Sequence, residues 1–91
     1  MAKLEGKVAL ITGAAVGLGE GIAEVYAKYG AKMCMVDLSP EVEKTADRLR
    51  KEYGADIITY VGNVADKAQM KEAAAKTAEK FGEINVCCCN A

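Results

Sequence analysis

The chain has 91 residues, is 52% apolar, carries a net charge of −1 and contains no histidine. This length allows one domain with a thin core, and the apolar share is that of a chain that folds. The interspersed charges give no sign of a nucleic-acid patch or a polybasic anchor, and the missing histidine excludes a Cys/His zinc site or a histidine-based catalytic pair.

Val8 to Ile11 is a continuous apolar run ending in Thr12-Gly13, which predicts a strand buried on both faces. It is too short for a secretory signal, and no stretch approaches the ~20 apolar residues of a membrane span. A cytoplasmic protein with reduced thiols is the expectation, with no membrane or nucleic-acid partner. After a glycine-rich turn, Leu18, Ile22, Val25/Tyr26 and Tyr29 recur at helical spacing, and Gly30 sits where a helix end favours a left-handed residue. Met33 to Val36, closed by Asp37, predicts a second strand. Ser39 and Pro40 open a second helix with the stripe Val42, Ala46, Leu49 and Tyr53, stopped by Gly54.

Ile57 to Val61 is rich in β-branched and aromatic residues and predicts the third strand. Asp66 and Gln69 have the spacing of a capping box, opening a helix with Met70, Ala73/Ala74, Thr77 and Phe81 that Gly82 ends. Ile84 to Cys88 predicts the fourth strand. Strands alternating with helices imply a parallel sheet covered by helices: an α/β, Rossmann-type three-layer fold, β-α-β-α-β-α-β. Right-handed crossovers leave strand order 3-2-1-4 as the expected topology, that of a mononucleotide-binding half.

The turn "TGAAVGLGEG" has Gly13, Gly17, Gly19 and Gly21. No Gly-Lys-Ser/Thr follows, so it is no Walker loop, and Ile22 stands where G-x-G-x-x-G would need its third glycine. What remains is T-G-x-x-x-G-x-G between a strand and a helix, the setting of a phosphate cradle. Glycines let the backbone approach a pyrophosphate, and the helix N-terminus offers N–H groups and a positive dipole end. Asp37, at the end of the second strand, is placed to accept hydrogen bonds from ribose hydroxyls. Val16 and Leu38 are uncharged, and no arginine stands ready for a 2′-phosphate, so NAD is favoured over NADP as cofactor.

On "TGAAVGLG", Asp37, "GNV" at 62–64 and "CNA" at 89–91, the chain resembles the short-chain dehydrogenase/reductase family. The resemblance implies that Gly13, Gly17, Leu18 and Gly19 line the pyrophosphate and that Asn63 and Val64 meet the adenine ring. Asn63 stands where the family usually has aspartate; its amide can still bond an adenine edge. Asn90 and Ala91 match the family's Asn-Asn-Ala-Gly motif, with Cys89 in place of the first asparagine, and Asn90 joins the candidate cofactor residues.

The family's catalytic serine and Tyr-x-x-x-Lys pair have no counterpart here. Four residues after Tyr26, Tyr29, Tyr53 and Tyr60 come Gly30, Met33, Ile57 and Val64. Residues 1–91 are therefore expected to be the N-terminal dinucleotide-binding portion of a single Rossmann domain, truncated after the fourth strand, with no catalytic and no metal residue. The implied complete protein is a homo-oligomeric NAD-dependent oxidoreductase acting on a small-molecule alcohol or carbonyl. The alternatives are a stand-alone nucleotide-binding module and a truncated fragment without function.

Cys87, Cys88 and Cys89 follow one another on a strand, so alternate side chains point to opposite faces and cannot converge on one metal. Cys34 would lie two strands away, ~9–10 Å, beyond the ~7 Å reach of a disulfide. Buried cysteine behaves as a small hydrophobe. All four are expected to be core residues.

Overall fold

Residues 3–88 are described by a computed structural model. Within them the chain runs β1 (Val8–Thr12), α1 (Gly17–Lys28), β2 (Lys32–Asp37), α2 (Glu41–Tyr53), β3 (Ile57–Val61), α3 (Lys67–Phe81) and β4 (Val86–Cys88). The four strands form one parallel sheet in the order β3-β2-β1-β4, the expected 3-2-1-4 topology. The helices end where glycines permit positive φ: Gly30 at 90°, Gly54 at 67° and Gly82 at 93°.

The register places Leu10 across from Cys34 and Cys87, and Ile11 across from Met35 and Cys88. Because side chains alternate along a strand, this sorts the core into two layers. Ala9, Ile11, Met33, Met35 and Ile57 pack against Ala23 and Ala27 of α1 and Val42, Ala46 and Leu49 of α2. On the other face Leu10, Cys34 and Val36 meet Ala73 of α3, flanked by Ile58, Tyr60 and Met70.

Three expectations about packing are corrected. First, α1 does not bury Leu18 or Val25, which are both exposed; its buried residues are Gly19, Ala23 and Ala27. Four-residue spacing of small side chains makes a flat ridge that lets the helix axis approach the sheet, which larger side chains would hold away. Second, β4 starts at Val86, not Ile84. Asn85 takes over the pairing before it: its side-chain Oδ1 accepts from Val8 N at 2.8 Å, and its own N–H donates to Val8 O at 2.8 Å.

The third correction concerns the cysteines. Cys34 is buried, but Cys88 is only half-buried and Cys87 is exposed. Cys87 shares a face with Leu10 and Cys34, and α3 packs on β2 and β1 rather than on β4. Cys88 sits on the opposite face, its Sγ 3.7 Å from the Tyr26 hydroxyl. Burial pushes the Cys34 thiol above its usual range, with Thr77 pulling weakly the other way. It is thus kept as an uncharged hydrophobe, while Cys89 lies outside the described residues.

Candidate functional site

Strand β1 delivers the chain to Gly13, whose φ of 62° turns it sharply, and Gly17 at 66° starts α1. Both are left-handed conformations that favour glycine. A Cβ added at Gly17 would meet nothing within 4 Å, so the space above this part of the turn is open. The residue preceding α1, Val16, makes no side-chain cap hydrogen bond. By contrast, α3 is capped by Asp66, whose carboxylate accepts from the N–H groups of Ala68 and Gln69. The first-turn amides of α1 are therefore left for another acceptor, as an anion site requires.

The turn is tied to its neighbours through backbone groups. Ala14 N donates to Val36 O at 3.2 Å, and Ala15 N donates to Asp37 Oδ2 at 3.0 Å. The other Asp37 oxygen accepts from Ser39 N at 2.9 Å. A carboxylate has about four lone-pair positions. Two amides therefore orient the Asp37 group and leave acceptor capacity for hydroxyls.

Gly13, Asp37, Leu38, Gly62 and Val64 line one cleft of about 190 Å³ across the C-terminal ends of β1, β2 and β3. Gly62 N donates to Asp37 O at 2.9 Å and draws the third loop against the second. A larger open hollow of about 530 Å³ lies along α3 between Lys76, Glu79 and Lys80. These three are exposed side chains near the C-terminal end of α3, where the backbone amides are already bonded and the helix dipole is negative, so the hollow offers solvated lysines but no amide cradle for a phosphate.

Of the predicted residues, Gly13, Asp37 and Val64 thus come together in one cleft, and Gly17, Leu18 and Gly19 form the first turn of α1 beside it. The Leu18 side chain is 71% exposed, so it is the Leu18 backbone, not its side chain, that belongs to the turn. Gly19 is buried and begins the small-residue ridge of α1. Asn63 is exposed, with its Oδ1 accepting from Ala65 N at 2.9 Å. Asn90 lies outside the described residues.

Two residues here carry more than their sequence signal implied. Gln69 was expected to complete a capping box on Asp66. Its Oε1 instead accepts from Asn63 N at 2.7 Å, while its Nε2 donates to Asp66 at 3.2 Å. Gly62 is pinched beneath it: an added Cβ would lie 2.7 Å from Gln69 Oε1 and closer still to the Tyr60 ring. The Tyr60 hydroxyl is itself anchored on Glu72 at 2.5 Å. Gly62→Ala must therefore displace one of two anchored side chains. We expect a loss of about 1–3 kcal/mol, the usual cost of overpacking, read as a lower urea midpoint. A midpoint equal to that of the unmodified chain would show that the loop yields freely.

Among the described residues no group of three His, Cys, Asp or Glu side chains could hold a metal ion, and no helix is long and apolar enough to cross a membrane.

The model for the family described as short chain dehydrogenase matches residues 7–91. Oxidoreductase UcpA of Escherichia coli (strain K12) is 45% identical over 91 residues, all of this chain and 34% of that protein. D-threitol dehydrogenase of Mycolicibacterium smegmatis is 42% identical over 87 residues, 92% of this chain and 32% of that protein. The chain thus spans roughly a third of the length of these curated relatives. Among solved structures, L-sorbose reductase from Gluconobacter frateurii complexed with NADPH and L-sorbose superposes with a TM-score of 0.94 at 28% identity, covering 99% of this chain and 35% of that one. Carveol dehydrogenase from Mycobacterium avium in complex with NAD gives 0.92 at 30% identity, covering 100% and 37%.

Proposed function

The chain belongs to the short chain dehydrogenase family, and on that footing we propose that its 91 residues are the dinucleotide-binding portion of an oxidoreductase. The observation that carries this reading is the cleft joining Gly13, Asp37 and Val64 beside the uncapped first turn of α1. A dinucleotide needs three features along one line: an apolar slot for adenine, an acceptor for ribose and aligned amides for pyrophosphate. Leu38 and Val64 offer the first, Asp37 the second, and the backbone of Gly17, Leu18 and Gly19 the third. Asn63 and Asn90 complete the proposed set, the former at the adenine edge.

The nicotinamide ring, when bound, supplies the hydride chemistry. What this chain's own residues do is orient: Asp37 fixes the ribose, and the open turn admits the phosphates. NAD, in preference to NADP, is the proposed cofactor, because Asp37 would face a 2′-phosphate with no nearby arginine. Structural neighbours include both an NAD and an NADPH complex. The proposed substrates of the longer protein are small alcohols or carbonyls, and its proposed setting is cytoplasmic.

The chain by itself should bind NAD without turning it over. The 91 residues contain no Tyr-x-x-x-Lys, so no tyrosine is paired with a lysine that could lower its pKa for proton transfer. Calorimetric titration with NAD should show binding that Gly17→Trp abolishes, since an indole would project into the open space of the turn. Absorbance of reduced nicotinamide should stay at the no-protein blank with a panel of alcohols. Absent NAD binding would remove the cofactor reading, and turnover lost in Gly17→Trp would refute the expected inactivity.

A further inference from the structure

Thr45 is a hydroxyl set into the apolar face of α2, between Val42, Ala46 and Leu49, and it is only 9% exposed. A hydroxyl buried inside a helix usually donates to the carbonyl four residues back. Thr77 of α3 does so, donating to Ala73 O at 2.7 Å. Thr45 departs from this habit. Its Oγ1 lies 3.3 Å from Glu41 O, its own i−4 carbonyl, but 2.7 Å from the carbonyl of Ala15 in the glycine turn. One hydroxyl proton serves one acceptor well, and the shorter contact leaves the helix.

Ala15 is 2% exposed, so water has little access to its peptide groups. Its carbonyl is met by Thr45 and its N–H by Asp37 Oδ2. Both backbone groups of one turn residue are thus held by side chains from two other elements, the end of β2 and the second turn of α2. The Asp37 oxygen on Ala15 belongs to the same carboxylate whose other oxygen takes Ser39 N. The two contacts hold the peptide planes on either side of the Ala15 Cα, so together they restrain its φ and ψ, and a rotation of this residue would disturb the acid that lines the cleft as well as the turn beside it.

We propose that Thr45 is a positioning residue for the nucleotide turn: its hydroxyl clamps the Ala15 carbonyl and thereby holds the Ala15 N–H on Asp37. The clamp builds on the cofactor reading above in its consequence for binding, but its geometry can be tested separately. Neither helix propensity nor apolar packing asks for a hydroxyl here, since valine has nearly the same shape and suits the neighbouring side chains better.

Thr45→Val removes the hydroxyl and keeps the shape, and Thr45→Ser restores the hydroxyl. Amide hydrogen exchange of the full chain, followed at Ala15 and along α2, reads the clamp directly. In Thr45→Val the Ala15 amide should exchange about tenfold faster, the effect of losing roughly one hydrogen bond, while the amides of Leu49 and Arg50 keep their rates. NAD affinity should fall about tenfold in parallel, and Thr45→Ser should restore both values.

If Thr45→Val does not fold, Thr45→Ala, which also lacks the hydroxyl, replaces it in the comparison with Thr45→Ser. Unchanged Ala15 exchange, serine behaving like valine, or equal acceleration along α2 would each overturn the clamp. A chain that shows the exchange pattern but binds no NAD before mutation would refute the cofactor reading and leave the clamp standing.

Discussion

Replacing Asp37 with alanine and Leu38 with arginine should reverse the order of cofactor affinity, weakening NAD and strengthening NADP. In the unmodified chain Asp37 lines the cleft from the end of β2. A 2′-phosphate placed at the ribose position would bring its charge against it. At ~4 Å and an effective dielectric near 20, one such charge pair costs about 4 kcal/mol before relaxation and screening. Half of that is ~2 kcal/mol, more than tenfold in affinity. Leu38 is 69% exposed beside the acid, so an arginine there has room to reach a phosphate.

The two amides on Asp37 complicate the alanine change, because Ala15 N and Ser39 N both lose their acceptor. Asp37→Asn separates the effects, since it removes the charge but retains one acceptor oxygen. NADP should gain in Asp37→Asn even without the arginine. Titrating both cofactors against all three proteins checks the expectation. Equal affinities for NAD and NADP in the unmodified chain, or no NADP gain in Asp37→Asn, would rule out Asp37 as the selector.

The largest effect on stability is expected from Leu49→Ala. Leu49 is fully buried where α2 meets the sheet, in the layer that holds Ile11, Met33 and Met35. Leucine-to-alanine changes at such sites cost about 2–5 kcal/mol, because transfer energy is lost and a cavity remains. A domain of this size has a total stability of only ~5–15 kcal/mol. Leu18→Ala is the control: it too sits on a helix in an apolar pattern, but its side chain faces solvent, and it should change stability by less than about 0.5 kcal/mol. Urea unfolding of the two variants should therefore give well-separated midpoints. Equal midpoints would contradict the burial assigned to Leu49.

The contrast between these two leucines marks a limit of helical periodicity. Spacing alone put Leu18 with Ile22 and Tyr26 on one stripe, and Val42 with Leu49 on another. The α2 stripe is the buried face. On α1 the contact centres on Gly19, Ala23 and Ala27, because close approach of helix and sheet needs small side chains, and Ile22 and Tyr26 of the stripe pack at its margin while Leu18 stays outside. Thr45 illustrates a related limit. A polar β-branched residue amid the apolar stripe Val42, Ala46 and Leu49 was the available signal, but its partner lies 30 residues earlier in the chain.

By itself the sequence determined what depends on neighbours along the chain. The runs at Val8 and Ile57 make strands because of their apolar and β-branched side chains, and Gly30, Gly54 and Gly82 end helices because each takes a positive φ. The 3-2-1-4 order was legible too, since parallel strands joined by right-handed crossovers have few arrangements. The glycine spacing and Asp37 identified the candidate nucleotide turn for the same local reason. Only the tertiary structure decided which groups meet from distant positions. Asn85 pairs with Val8 across 77 residues and shortens β4, and α3 packs over β2 and β1 and leaves Cys87 exposed. Gln69 turns to Asn63 N, and Thr45 and Asp37 converge on Ala15. These partners are selected by how the helices settle on the sheet, where every buried polar group must find a neighbour, and no spacing in the chain encodes that choice.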